Sequence, residues 1–290
     1  MKLCTFEESE RARVGVVRED GVVDLSAAPE SIRVSDMRVL LNKGKVVMEE
    51  VADWSRSVES SFEMSNIRLC APILNPSKIM AIGLNYRDHV EESGLQPPSL
   101  ALMFSKFPSA IVGPDDDIVW SDALTSKVDY EVELAVVIGA EVKNATQEEA
   151  MNAVAGYTIC NDVTARDLQL EKGDQWLRGK CLDTFCPLGP WIVTSDEIPD
   201  PHALNLQTRV NGDLRQDSNT RHLIYDIPYL ISYLSAAFTL YPGDIILTGT
   251  PAGVGAFSDP PVWLKHGDEI TLSIDPIGTL SNSCRVSSVG

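Results

Sequence analysis

The stretch Asp129-Tyr130-Glu131-Val132-Glu133-Leu134-Ala135-Val136-Val137-Ile138 constrains this chain more than any other. With a side-chain period of two, Tyr130, Val132, Leu134, Val136 and Ile138 form one apolar face, opposite Glu131, Glu133, Ala135 and Val137. The segment therefore reads as a strand with a buried side. Two glutamates one pleat apart repel by a few kcal/mol at an effective dielectric of about 20, and burial raises that cost unless something neutralises them. A divalent cation does so, and oxygen-only ligands suit Mg²⁺, Mn²⁺ or Ca²⁺ rather than zinc. A third carboxylate is at hand in Asp162, which follows the apolar run 156–160. The capping box Thr146-Gln147-Glu148-Glu149 opens a short helix between these strands, so they can lie side by side. Spacing alone leaves a second reading open, with Glu131 and Glu133 on a solvated face and Asp162 capping a turn.

The rest of the chain is strand-rich. Short strands are expected at 78–83, 191–194, 206–210, 244–248 and 269–274, with a hairpin turn at Asn211-Gly212 and a helix over 227–238. Residues 1–65 read as a small unit. It has a hairpin around Asp20-Gly21, helices over 31–42 and 45–60, and then Pro72, Asn75 and Pro76 as a linker. The expected division is 1–70 for a small N-terminal domain and 71–290 for a catalytic one. No βαβ alternation, no G-x-G-x-x-G after a strand and no Walker loop is present, which argues against Rossmann and P-loop enzymes.

Charge narrows the partners. The 290 residues hold 24 Lys+Arg against 42 Asp+Glu, a formal charge of −18. Such a surplus opposes binding to phosphate backbones or anionic lipid, so neither nucleic acid nor membrane is an expected partner. No apolar run reaches the ~18–20 residues of a spanning helix, and the first ten residues lack a secretory core. Six cysteines lie scattered without a CxxC pair. A cytoplasmic protein with reduced thiols and a small-molecule partner is expected.

Three further segments carry chemistry. In Asn85-Tyr86-Arg87-Asp88-His89-Val90-Glu91-Glu92, His89 and Glu92 sit at i and i+3, where a carboxylate can fix an imidazole that takes a proton from water. The same spacing fits a surface helix in which Glu92 only screens His89. Lys180, beside Trp176 and Gly179, is a candidate for a partly buried ammonium. Thr248-Gly249-Thr250-Pro251-Ala252-Gly253-Val254-Gly255 ends a strand with glycines whose N–H groups can approach an anion, or which simply make a tight turn.

Taken in order, these segments resemble the fumarylacetoacetate hydrolase superfamily from about residue 78 to 280. The likeness rests on Ile82-Gly83-Leu84-Asn85-Tyr86…His89…Glu92, on Asp129–Leu134 and on Gly156-Tyr157…Asn161-Asp162-Val163-Thr164-Ala165-Arg166-Asp167…Gln169. It continues in Gly179-Lys180…Asp183…Pro187-Leu188-Gly189-Pro190, Val210-Asn211-Gly212, Pro242-Gly243-Asp244 and the 249–255 glycines. The resemblance implies an α+β chain: a mixed β-sandwich roll preceded by a small N-terminal α+β domain, in a homodimer. It implies a divalent cation on Glu131, Glu133 and Asp162, with Mg²⁺ expected and Mn²⁺ or Ca²⁺ as substitutes. By the same matching, His89 and Glu92 form a dyad on a lid, and Lys180 acts beside them. Gln169 and Thr250 would meet the oxygens of a 2-oxo acid substrate, with Tyr86 and Arg178 as further contacts.

The layout is similar to the acylpyruvase-like branch. It leads to an expected hydrolysis of a 2,4-dioxo acid to pyruvate, or a derivative, and a carboxylic acid, with His89 activating water. Decarboxylation of a β-keto acid such as oxaloacetate, keto–enol or double-bond isomerisation, and a non-catalytic metal-stabilised scaffold are the alternatives. Thr220-Arg221-His222-Leu223-Ile224 departs from the family pattern. It leaves open whether Arg221 reads a distal substrate group or pairs with Asp217; the role of His222 is also open.

Overall fold

A computed structural model describes residues 1–172 and 175–287. The strand Val132–Ile138 lies deep in the molecule, every residue buried. It pairs antiparallel with Val154–Asn161 on one side, Glu133 opposite Cys160, and with Ile245–Leu247 on the other. The mixed sheet around it runs Gly21–Asp24, Arg11–Arg18, Lys2–Glu8, Cys186–Thr194, Val154–Asn161, Val132–Ile138, Ile245–Leu247, Ile79–Gly83, Leu102–Lys106. A second sheet of five strands orders Asp213–Asn219, Asn205–Val210, Glu269–Ile274, Gly278–Ser287 and Asp117–Ser121.

The alternation along Val132–Ile138 divides the core. Val132, Leu134, Val136 and Ile138 join the cluster shared with Leu206, Ile270 and Leu272 of the second sheet. Ala135 and Val137 face a different cluster, with Leu40, Leu41 and Val51 of the helices Met37–Asn42 and Lys45–Ser57. Both faces are therefore covered, and the solvated-face reading of the glutamates falls. Residues 1–70 share in this construction: Lys2–Glu8 pairs with Cys186–Thr194 and extends the main sheet.

Two elements differ from expectation for local reasons. The strand expected over 128–138 breaks, because Asp129 Oδ1 accepts the Tyr130 N–H and Asn161 Oδ1 the Glu131 N–H. Side chains thereby take donors that a ladder would use, and Val128–Asp129 pairs instead with Thr164–Ala165. The helix expected over 31–42 begins only at Met37, where Asp36 caps the Val39 N–H. The capping box at Thr146–Glu149 and the helix Ile227–Ala237 form as read.

Candidate metal and substrate site

Antiparallel register between Val132–Ile138 and Val154–Asn161 sets Val132 opposite Asn161. Asp162, the next residue, donates its N–H to the Glu131 carbonyl at 2.9 Å. Glu131, Glu133 and Asp162 thus converge, each buried, with one carboxylate oxygen apiece all within 4.8 Å of one another. The cleft they floor, about 500 Å³ with its open mouth, is also lined by His89, Lys180, Gln169, Thr250 and Arg166.

Buried carboxylates need compensation, and the chain supplies most of it. Lys180 Nζ lies 2.7 Å from both Glu131 Oε2 and Asp162 Oδ2. Lys106, wholly buried, bonds Asp162 Oδ1 at 2.5 Å and the Lys180 carbonyl. Arg166 reaches Glu131 Oε1 at 2.7 Å and Asp129 Oδ2 at 2.8 Å. Burial opposes ionisation of Glu131, yet Lys180 and Arg166 hold its carboxyl down at about 2. Glu133 goes the other way: burial, then the nearby Asp162 and Glu131 charges, push it well above the carboxylate range. Among the described residues its Oε2 accepts only the Gly249 N–H, at 2.8 Å. Four buried carboxylates, counting Asp129, therefore face three buried cations. A cluster of hard oxygens left one charge short of compensation fits a divalent cation.

The glycine-rich loop does approach anions, and they are the chain's own. Gly249, Gly253 and Gly255 donate N–H groups to Glu133, Glu92 and Asp129 at 2.8, 2.9 and 2.8 Å. Gly249 needs φ +103°, and a Cβ on Gly253 would sit 2.1 Å from the Arg215 carbonyl oxygen. The loop could not close this way with side chains at those positions.

His89 and Glu92 ride the helix Arg87–Ser93, ended by Gly94 in the left-handed region. Asn85 anchors its base: Nδ2 donates to the Tyr225 and Thr248 carbonyls at 3.0 and 2.8 Å, and Oδ1 accepts the Tyr225 N–H at 2.8 Å. The His89 ring packs at 5.7 Å from Phe257. Its Nδ1 is buried without a hydrogen-bond partner among the described residues and stands 3.6 Å from Glu92 Oε2.

Of the residues expected at the site, Glu131, Glu133, Asp162, His89, Lys180, Gln169 and Thr250 line the cleft; Tyr86, Glu92 and Arg178 do not. Tyr86 is fully buried, its hydroxyl unpartnered among the described residues. Arg178 is exposed and borders a separate apolar groove with Phe107 and Leu182. Two cations that the sequence did not single out stand at the site instead: Arg166 lines the cleft, and Lys106 holds Asp162 from below it. Arg221 forms no ion pair with Asp217 among the described residues; Asp217 accepts from Gln207 at 3.0 Å, and the Arg221 carbonyl faces Arg87.

The two-sheet sandwich that holds this cleft is shared with solved members of the fumarylacetoacetate hydrolase superfamily of enzymes. The chain belongs to that family: the family model for the fumarylacetoacetate (FAA) hydrolase C-terminal region matches residues 78–285. A relative named mitochondrial oxaloacetate tautomerase, from Xenopus laevis, is 46% identical over 97% of this chain and 89% of its own length. Fumarylacetoacetate hydrolase of Exiguobacterium antarcticum is 39% identical with a TM-score of 0.83, covering 99% of this chain and 100% of its own. Maleylpyruvate hydrolase of Sphingobium sp. SYK-6, solved with manganese(II) and pyruvate, is 32% identical at a TM-score of 0.82, with the same coverage.

These relatives correct one expectation and shift the weight of another. The cytoplasmic setting inferred from thiols and the first residues is overturned by the mitochondrial name of the Xenopus relative. That relative's name also fits isomerisation of a keto acid, one of the alternatives, better than acylpyruvate hydrolysis.

Proposed function

We propose that this chain interconverts the keto and enol forms of oxaloacetate, or of a close 2-oxo dicarboxylic acid, at a divalent cation on Glu131, Glu133 and Asp162. The observation that favours this over hydrolysis is the state of His89. A general base that activates water benefits from an orienting carboxylate. Glu92 instead accepts the Gly253 N–H, and His89 Nδ1 lies beyond hydrogen-bond reach of it. Tautomerisation asks less, since one group that takes a proton from C3 and returns one to the C2 oxygen suffices.

The bound cation, Mg²⁺ or Mn²⁺, would act as a Lewis acid toward the 2-oxo acid end of the substrate. His89 takes the C3 proton; the C–H electron pair becomes the C2=C3 bond, and the carbonyl π pair moves to the C2 oxygen. Protonation of that oxygen completes the enol, with no net change in atoms or charge. Lys180 supplies positive charge beside the developing oxyanion, and Gln169 and Thr250 hold the substrate's carboxylate. Burial of the floor keeps these charges in a low dielectric, where they act more strongly.

The test follows enol absorbance of oxaloacetate alongside pyruvate release and cleavage of an acylpyruvate panel, with Mg²⁺, Mn²⁺ or chelator. Metal-dependent enol–keto exchange exceeding both other rates supports the reading. Acylpyruvate cleavage as the fastest reaction would replace it with the hydrolase reading, which the likeness to maleylpyruvate hydrolase keeps in view. The homodimer implied by the resemblance belongs to the same proposal and is checked by light scattering.

A further inference from the structure

Gln216 sits on Asp213–Asn219 in the five-stranded sheet, fully buried and outside the cleft lining. Its Oε1 accepts the Val132 N–H at 3.0 Å and the Thr208 hydroxyl at 2.8 Å. Its Nε2 donates to Thr250 Oγ1 at 2.8 Å and to the Pro251 carbonyl at 3.0 Å. A backbone N–H only donates and a carbonyl only accepts, so Val132 and Pro251 fix which end of the amide is which. The bond to Thr250 therefore has one direction, from Gln216 to the threonine.

That direction has a chemical consequence. With Oγ1 already accepting, the Thr250 proton is the part of the hydroxyl free to engage another group, and no described residue accepts it. Thr250 lines the cleft, so the proton is available to an acceptor there. Gln169 is set in the same sense: Arg166, an obligate donor, reaches its Oε1 at 3.1 Å, which leaves the NH₂ as the free end.

We propose that Gln216 is a positioning residue that fixes the Thr250 hydroxyl as a hydrogen-bond donor, selecting acceptor-only groups such as a carboxylate on that wall of the cleft. The selection acts on binding and not on the proton transfer. Val132 lies between Glu131 and Glu133, so the same amide ties this donor to the strand that carries the carboxylate floor. The inference rests on the proposed 2-oxo acid substrate only for the identity of the ligand.

A double-mutant cycle tests it. Gln216→Glu places an acceptor against Thr250 and turns its proton away from the cleft; Thr250→Val removes the hydroxyl. The readouts are the calorimetric Kd of oxalate, an acceptor-only probe, in Mg²⁺, and the split of oxaloacetate kinetics into KM and kcat. Each single variant should weaken oxalate about tenfold, the scale of one hydrogen bond to a charged group, and raise KM more than it lowers kcat. The double variant should bind within about twofold of Thr250→Val, because the glutamine acts through the hydroxyl. Losses that multiply to about a hundredfold, or wild-type affinity in Thr250→Val, would overturn the proposal. Should Gln216→Glu fail to fold, Thr250→Ser decides: it keeps the oriented hydroxyl and should retain affinity within about twofold, whereas a loss equal to that of valine overturns the proposal. Wild-type protein that binds oxalate without tautomerising oxaloacetate would sink the functional reading and leave this cycle intact.

Discussion

His89 Nδ1 stands 3.6 Å from Glu92 Oε2, while Oε1 of that carboxylate accepts the Gly253 N–H at 2.9 Å. Glu92 therefore fastens the helix Arg87–Ser93 to the glycine-rich loop before it orients the imidazole. Replacing the two residues should have unequal effects. His89→Ala should lower enol–keto exchange by ~10²–10⁴-fold, the range of a lost general base. Glu92→Gln keeps an acceptor for Gly253 and should cost less than about tenfold. Steady-state rates on oxaloacetate check this; equal losses would mean that Glu92 works as a true dyad partner.

Glu133 is the carboxylate that the chain compensates least. Burial and two neighbouring charges raise its carboxyl above the ordinary value of 4.5. The stability this group contributes is present below about 4.5 and is lost as pH rises through the raised folded value, so at neutral pH it is a burden. Glu133→Gln should therefore raise the melting temperature of chelator-treated protein by a few degrees, at ~2–4 °C per kcal/mol for a chain of this size. The same variant should lose most of the added stability that Mg²⁺ gives the wild type. Melting curves in chelator and in Mg²⁺ check both signs; a lower melting temperature in chelator would contradict the charge balance.

Lys106 is fully buried against Asp162, the Val163 carbonyl and the Lys180 carbonyl. Lys106→Met keeps the aliphatic length and leaves Asp162 Oδ1 without its ammonium. Removing one partner of a buried pair costs about 3–5 kcal/mol, and denaturant unfolding should show a loss of that order. A loss under about 1 kcal/mol would mean that Lys180 alone compensates Asp162.

Burial pushes the thiols of Cys4 and Cys284 up to about 12. The thiolate is the reactive form, so alkylating reagents at pH 8 should leave both untouched in the native protein. Cys181, the most exposed of the six cysteines, should be labelled first, and the others only in denaturant. Above the ordinary thiol value of 9.0 the unfolded chain ionises where the folded one does not, so folding stability should fall between about 9 and 12. Mass spectrometry of labelled peptides checks the order.

The strand Val132–Ile138 and the carboxylate floor were legible because alternation and an adjacent Asp162 state them in sequence. The covering of the second face was not, since it depends on Leu40, Leu41 and Val51 packing from far along the chain. Lys106 was illegible for a different reason. On Leu102–Lys106 the apolar Leu102 and Met103 are each 38% exposed while the lysine is 1% exposed, the reverse of hydrophobic patterning. Its burial is decided by acceptors that fold around it. Arg178 misled because it lies two residues before Lys180 on the helix Leu177–Lys180, where positions i and i+2 face apart. Gln216 carried no signal beyond a polar residue in a strand; only the pairing of Asn205–Val210 with Asp213–Asn219 sets Thr208 beside it.

The proposed tautomerase moves a proton on a keto acid and does not cut a carbon–carbon bond. The most direct measurement is solvent-deuterium exchange at C3 of oxaloacetate by NMR, with Mg²⁺ present, beside the rate of pyruvate formation. A tautomerase should give protein-dependent, His89-dependent exchange that is much faster than pyruvate formation and is lost with chelator. Exchange at the uncatalysed rate, with an acylpyruvate hydrolysed at the same concentration of protein, would contradict it.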